Sequence, residues 1–151
     1  MSFSDNIGYL LQHTAATTAR QSEQILQDRL GIGLSQFKIM MVLQWNPSVR
    51  QRRIAEQLGQ TEASISRQVK LMHEDGLLQS TIRPENRREH ITTLTSRGER
   101  IASQASAVLN QYLSPVFAIL DEKQQQQLAE LLDRLHKEVC KGDKTGRCYA
   151  D

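Results

Sequence analysis

No run of about eighteen apolar residues occurs in the chain, so no membrane-spanning helix is expected. The opening residues, Met1-Ser2-Phe3-Ser4-Asp5, lack a basic segment followed by an apolar one. No secretory signal is therefore expected, and a cytoplasmic location is the default. Cysteine is scarce: Cys140 and Cys148 stand alone, both near the C-terminus. Two late thiols make no disulfide framework, and in a reducing cytosol they are expected to be free. An oxidised link between them, within or between chains, is the alternative. His136 and Cys140 are spaced i, i+4, but even with Cys148 they offer three ligands without the paired spacing of a zinc site, so no metal is expected. A Gly-rich phosphate loop, a His-Glu-x-x-His pair and a nucleophile elbow are all missing. His13, His73, His90 and His136 fall on different predicted elements, and aromatic residues make up only 5% of the chain. Neither an enzyme nor a cofactor is expected. Proline is equally sparse, and Pro47, Pro84 and Pro115 each mark a predicted boundary.

What charge there is lies unevenly. The net charge is only +2 over 151 residues. Residues 48–100 nevertheless hold ten Arg/Lys against seven Asp/Glu, and nine of those ten are arginine. Arginine's planar fork suits phosphate oxygens and guanine edges. A solvated surface has the same composition, so the excess alone decides nothing.

The chain length fits one domain with an extension for dimerisation. Residues 6–30 read as a long helix with a loose apolar stripe through Ile7, Leu10, Leu11, Ile25 and Leu30, ended by Gly31-Ile32-Gly33. Ser35 is the expected cap of a second helix reaching Trp45. Ser48 with Gln51 fits a capping box opening a third helix, whose Ile54, Ala55 and Leu58 point inward and whose C-cap is Gly59. Thr61 caps a fourth helix, with Ile65, Val69 and Met72 as its buried edge. Two β-leaning segments follow, Leu78–Ile82 and Glu89–Leu94, around a polar turn at residues 83–88. A fifth helix starts at Thr95 or Ser96 and is expected to break at Pro115. Asp121 and Gln124 form a second capping box before a sixth helix with a dense apolar stripe of Leu128, Leu131, Leu132, Leu135 and Val139. Residues 142–151 read as a flexible tail.

Two short helices around Gly59-Gln60 make a helix-turn-helix pattern. With Ile65, Val69 and Met72 inward, helical geometry places Ala63, Ser66, Arg67 and Lys70 outward, with Ser64 beside them. Arg67 is suited to a guanine edge or a phosphate and Lys70 to a phosphate. An ordinary αα-hairpin with a solvated outer face fits the two helices equally well. The hairpin behind them shifts the balance. Arg87 and Arg88, expected at its tip, read as a wing whose arginine enters a minor groove.

The ordered run Ile54-Ala55-Glu56-Gln57-Leu58-Gly59, Ser64-Ile65-Ser66-Arg67 and Glu74-Asp75-Gly76-Leu77-Leu78 resembles the DNA-binding core of the MarR family of bacterial regulators. Asn86-Arg87-Arg88 followed by Leu94-Thr95-Ser96-Arg97-Gly98 is similar to that family's wing signature, Asp-x-Arg and then Leu-Thr-x-x-Gly. Asn86 departs from it, because the family usually has Asp there to hold a nearby arginine. The resemblance implies a mainly α fold: a winged helix-turn-helix lobe over residues 34–101, and helical dimerisation regions over 1–33 and 102–141. It implies a homodimeric, ligand-responsive repressor on a pseudo-palindromic double-stranded DNA operator. By position it puts Ser64 and Arg67 on the recognition helix and makes Arg88 the minor-groove arginine; with the outer-face and wing residues, the expected DNA-binding set is Arg50, Thr61, Ala63, Ser64, Ser66, Arg67, Lys70, Arg87 and Arg88. The resemblance further implies a small aromatic or anionic effector, for which Tyr9, His13, Arg20 and Trp45 are the candidate lining. Nothing in the sequence makes these four converge. Trp45 reads rather as core, and His13 and Arg20 as interface or surface. The family's redox branch senses through a cysteine in the first helix, which this chain lacks. A winged-helix module that binds protein or ligand but no longer DNA is the standing alternative.

Overall fold

The computed structural model describes residues 5–142, with residues 83 and 86–90 described by their backbone alone. Its elements run α1 (Ile7–Leu30), α2 (Leu34–Trp45), α3 (Gln51–Gln57), α4 (Glu62–Glu74), β1 (Leu78–Arg83), β2 (Asn86–Leu94), α5 (Ser96–Phe117) and α6 (Glu122–Gly142). The fold is mainly α: a winged helix-turn-helix lobe flanked by long helices. The residues read as a tail, 142–151, lie outside the described residues except Gly142, which closes α6.

The lobe is built around one core. Leu26 of α1, Ile39, Met40 and Leu43 of α2, Ile54 of α3, Ile65 and Met72 of α4, and Leu78 of β1 are almost wholly removed from solvent. Ala102 and Ala105 of α5 join them, and their small side chains let α5 lie close. Burying each of the Leu, Ile and Met side chains contributes roughly 1.5–3 kcal/mol.

Local chemistry sets the element ends, in two places differently from expectation. α2 opens at Gly33, not Ser35. The Gln36 side chain accepts from the Gly33 amide at 3.0 Å, and the Glu23 carboxylate of α1 accepts from Leu34 N at 2.5 Å. A tertiary acceptor thus replaces the hydroxyl cap. α3 opens at Arg50, not Ser48, with no side-chain cap. Val49 is drawn into an isolated antiparallel bridge to Thr92, so the chain is still extended where the helix was expected. Both capping signals further on form as expected. Thr61 Oγ1 accepts from Ser64 N at 3.1 Å, while Asp121 and Gln124 cap each other at 2.9 and 3.0 Å.

Pro115 does not break α5, which continues to Phe117. The proline falls in the last turn, so only the bond to the Gln111 carbonyl is forgone, and Gln111 is exposed to water. The wing is also tighter than expected. Arg83 pairs with Asn86, so the tip is Pro84-Glu85, with a register shift at Ile82/Arg83. Arg87 and Arg88 therefore belong to β2 rather than to the tip.

Beyond the lobe, apolar side chains remain uncovered. α6 buries no residue at all, and its Leu128, Leu131, Leu132, Leu135 and Val139 are exposed. Ile7, Leu10 and Leu11 of α1 and Val116 and Phe117 of α5 are exposed as well. Cys140 is disulfide-bonded, not the free thiol expected. Cys148 lies outside the described residues. Cys140 Sγ is 3.4 Å from His136 Nε2.

Candidate nucleic-acid interface

The turn between α3 and α4 is set by glycine geometry. Gly59 has φ 61°, in the left-handed region that a side chain resists, and its neighbour Gln60 donates back to Ala55 O at 2.9 Å. Gln60 then ties the turn to its surroundings, accepting from Ser64 Oγ at 3.4 Å and donating to Ser35 Oγ at 3.5 Å. Thr61 caps α4, and Glu62 lies in its first turn, where a negative charge complements the helix dipole.

Ile65, Val69 and Met72 are buried, so α4 cannot rotate about its axis without exposing them. The opposite side follows from 3.6-residue periodicity. Ala63, Ser66, Arg67 and Lys70 are all exposed, and Ser64 is half-buried at their flank. Five of the expected site residues therefore share one helix, and four of them share its outer face. Arg50 is exposed at the N-cap of α3. The side chains of Arg87 and Arg88 lie outside the described residues; their backbone is in β2, beside the tip.

Arg52 and Arg53 were not among the expected site residues, although the run Arg50-Gln51-Arg52-Arg53 is the densest basic stretch in the chain. Glu56 holds both. Arg52 Nε is 3.1 Å from Glu56 Oε1, and Arg53 Nη1 is 3.4 Å from Glu56 Oε2. Arg52 Nε also lies 3.9 Å from Glu62 Oε1, linking α3 to the first turn of α4. With Ser48 and Val49 these groups line a hollow of about 280 Å³.

The four residues considered for an effector are exposed. Tyr9 and His13 stack, with ring centroids 5.4 Å apart and planes 15° from parallel. Arg20 Nη2 donates to Thr17 Oγ1 at 3.1 Å. Trp45 is not core but 72% exposed. α2 buries Ile39, Met40, Val42 and Leu43, and Trp45 sits two residues past Leu43, about 200° around the helix.

The profile of the MarR family matches residues 32–90. A curated relative, the helix-turn-helix-type transcriptional regulator BilQ of Clostridium symbiosum, is 27% identical over 107 residues, covering 71% of this chain and 74% of its own. A helix-turn-helix-type transcriptional repressor of Mycobacterium bovis is 25% identical over 129 residues, covering 85% and 92%. Among solved structures, a MarR/EmrR family transcriptional regulator from Acinetobacter sp. ADP1 superposes with a TM-score of 0.82 at 22% identity, covering 92% of this chain and 98% of that one. CouR from Rhodococcus jostii RHA1, solved bound to p-coumaroyl-CoA, superposes with a TM-score of 0.79 at 22% identity, covering 89% and 94%. Lobe, wing, profile and relatives agree: residues 32–90 match the MarR family, and the fold around them is that of solved MarR-family regulators.

Proposed function

We propose that the protein is a sequence-specific, ligand-responsive repressor that binds a pseudo-palindromic DNA operator as a homodimer in the cytoplasm. The observation that carries this reading is the outer face of α4. Ala63, Ser66, Arg67 and Lys70 are exposed along one side of a helix whose other side is locked into the core. A helix presented in this way, with a wing beside it, fits a major groove. Arg67 reads a base edge, Ala63 allows close approach, and Thr61, Ser64 and Arg50 approach the backbone. Arg87 and Arg88 serve the wing.

In this reading the lobe spans residues 34–101, and residues 1–33 and 102–141 form the dimerisation region. The exposed apolar side chains of α1, α5 and α6 support that division, because such a stripe on one small protein is covered by a partner. No helix among the described residues is long and apolar enough to cross a membrane. The effector is a small aromatic or anionic molecule, for which the stacked Tyr9 and His13, together with Arg20 and Trp45, are the lining. CouR, solved bound to p-coumaroyl-CoA, supports an effector with an aromatic, anionic character. No enzymatic activity is part of the proposal, since the matched family and relatives are named as regulators.

Retardation of random duplex DNA at low salt, followed by selection of genomic fragments, tests it. A dimer that retards neither overturns the DNA-binding reading.

A further inference from the structure

A second hollow, of about 330 Å³, lies between α4 and the wing. Ser66, Lys70, His73 and Glu74 line it from α4, Ser80 from β1 and Gln51 from the start of α3. Val69 closes its apolar side. The Val49–Thr92 bridge draws the start of α3 toward the wing, and Ser80 is the residue paired with Thr92 in the hairpin.

We infer that this hollow seats the sugar-phosphate strand that separates the major groove from the adjoining minor groove. The inference rests on the DNA-binding reading above and adds to it the path of the backbone. When a helix occupies a major groove and its wing the neighbouring minor groove, one strand of the duplex passes between them. In this protein that passage is the hollow between α4 and β1. Its chemistry fits a phosphate. Lys70 brings a cation, Ser66 and Ser80 bring hydroxyls, Gln51 brings an amide N–H, and the His73 ring has an N–H donor in either tautomer. None of this set distinguishes one base from another. Ser66 and Lys70 are thereby assigned to the backbone, leaving Ala63 and Arg67 to face the bases. Among the described residues Glu74 is the one carboxylate lining the hollow, and it opposes phosphate there.

Fluorescence anisotropy with a random-sequence duplex and with a selected operator fragment, each over a range of salt, tests this. Ser80→Glu is expected to weaken both complexes on the order of tenfold, leaving their affinity ratio unchanged. Lys70→Gln is expected to weaken both alike and to lower the salt slope by about one. Glu74→Gln is expected to tighten both severalfold. Ser80, Lys70 and Glu74 are exposed, and thermal melting of each variant checks that the fold is kept. The placement is overturned if Ser80→Glu binds both duplexes as the parent does while Arg67→Ala loses the operator. It is equally overturned if Lys70→Gln loses the operator alone. A parent dimer that binds no duplex overturns the DNA-binding reading itself, a result separable from the other two.

Discussion

The Leu77 carbonyl accepts from the Thr95 amide at 3.1 Å and lies so close to Gly98 that a Cβ there would overlap it. The end of the α4 segment and the start of α5 therefore meet backbone to backbone. Thr95 completes the joint, donating its hydroxyl to Gly76 O at 2.7 Å and accepting from Gly98 N at 3.0 Å. This joint couples the proposed recognition helix to the long helix that leaves the lobe. Gly98→Ala is expected to destabilise the fold by at least about 2–3 kcal/mol, because backbone cannot yield as a flexible side chain does. Urea denaturation measures it, and a midpoint equal to the parent's refutes the joint.

At the other end of α4, Thr61 is both a cap and an expected DNA neighbour. Thr61→Ala is expected to cost about 1 kcal/mol of stability, and Thr61→Ser to restore most of it. Equal stability of all three proteins in denaturation would show that the cap bond at Ser64 N contributes nothing.

Arg67 is exposed on the outer face and is expected to read a base. Arg67→Ala is expected to lose ~1–3 kcal/mol on the operator and much less on random DNA. Equal losses on the two duplexes reassign Arg67 to the backbone.

Glu56 accepts from two arginines on the exposed side of α3. Ion pairs as exposed as these contribute little to folding, ~0–1 kcal/mol. Glu56→Gln is therefore expected to leave the thermal midpoint nearly unchanged. It removes one carboxylate held by Arg52 and Arg53 from this face, so affinity for random duplex is expected to rise and its salt dependence to steepen. Unchanged affinity and slope place both arginines away from DNA.

The uncovered leucines of α6 are expected to form the dimer contact. Leu132→Glu places a charge in that stripe, and burying it unpaired is costly. Light scattering is expected to show a monomer at concentrations where the parent is a dimer. A variant that remains dimeric moves the interface elsewhere.

Periodicity and capping chemistry determined much of this protein from sequence alone. Ile65, Val69 and Met72 stand at i, i+4 and i+7, so the inner and outer faces of α4 follow from the helical repeat. Thr61, Gly59 and the Asp121–Gln124 box are local signals, and each acts where it stands. What failed depended on residues far apart in the chain. The α2 cap moved because Glu23, eleven residues before Leu34, supplies the acceptor. The α3 start moved because Val49 bridges to Thr92 on the wing. Trp45 read as core because it is large and apolar, but helix phase left it outside. Ser80 and Gln51 carried no site signal, since a serine on a strand and a glutamine at a helix start are ordinary alone. Sequence by itself determined where the helices lie along the chain and which side of α4 is apolar, because those are properties of neighbours within a few turns. The tertiary structure alone decided that the wing lies beside α4 with a polar hollow between them, because that spacing is set by how distant segments pack.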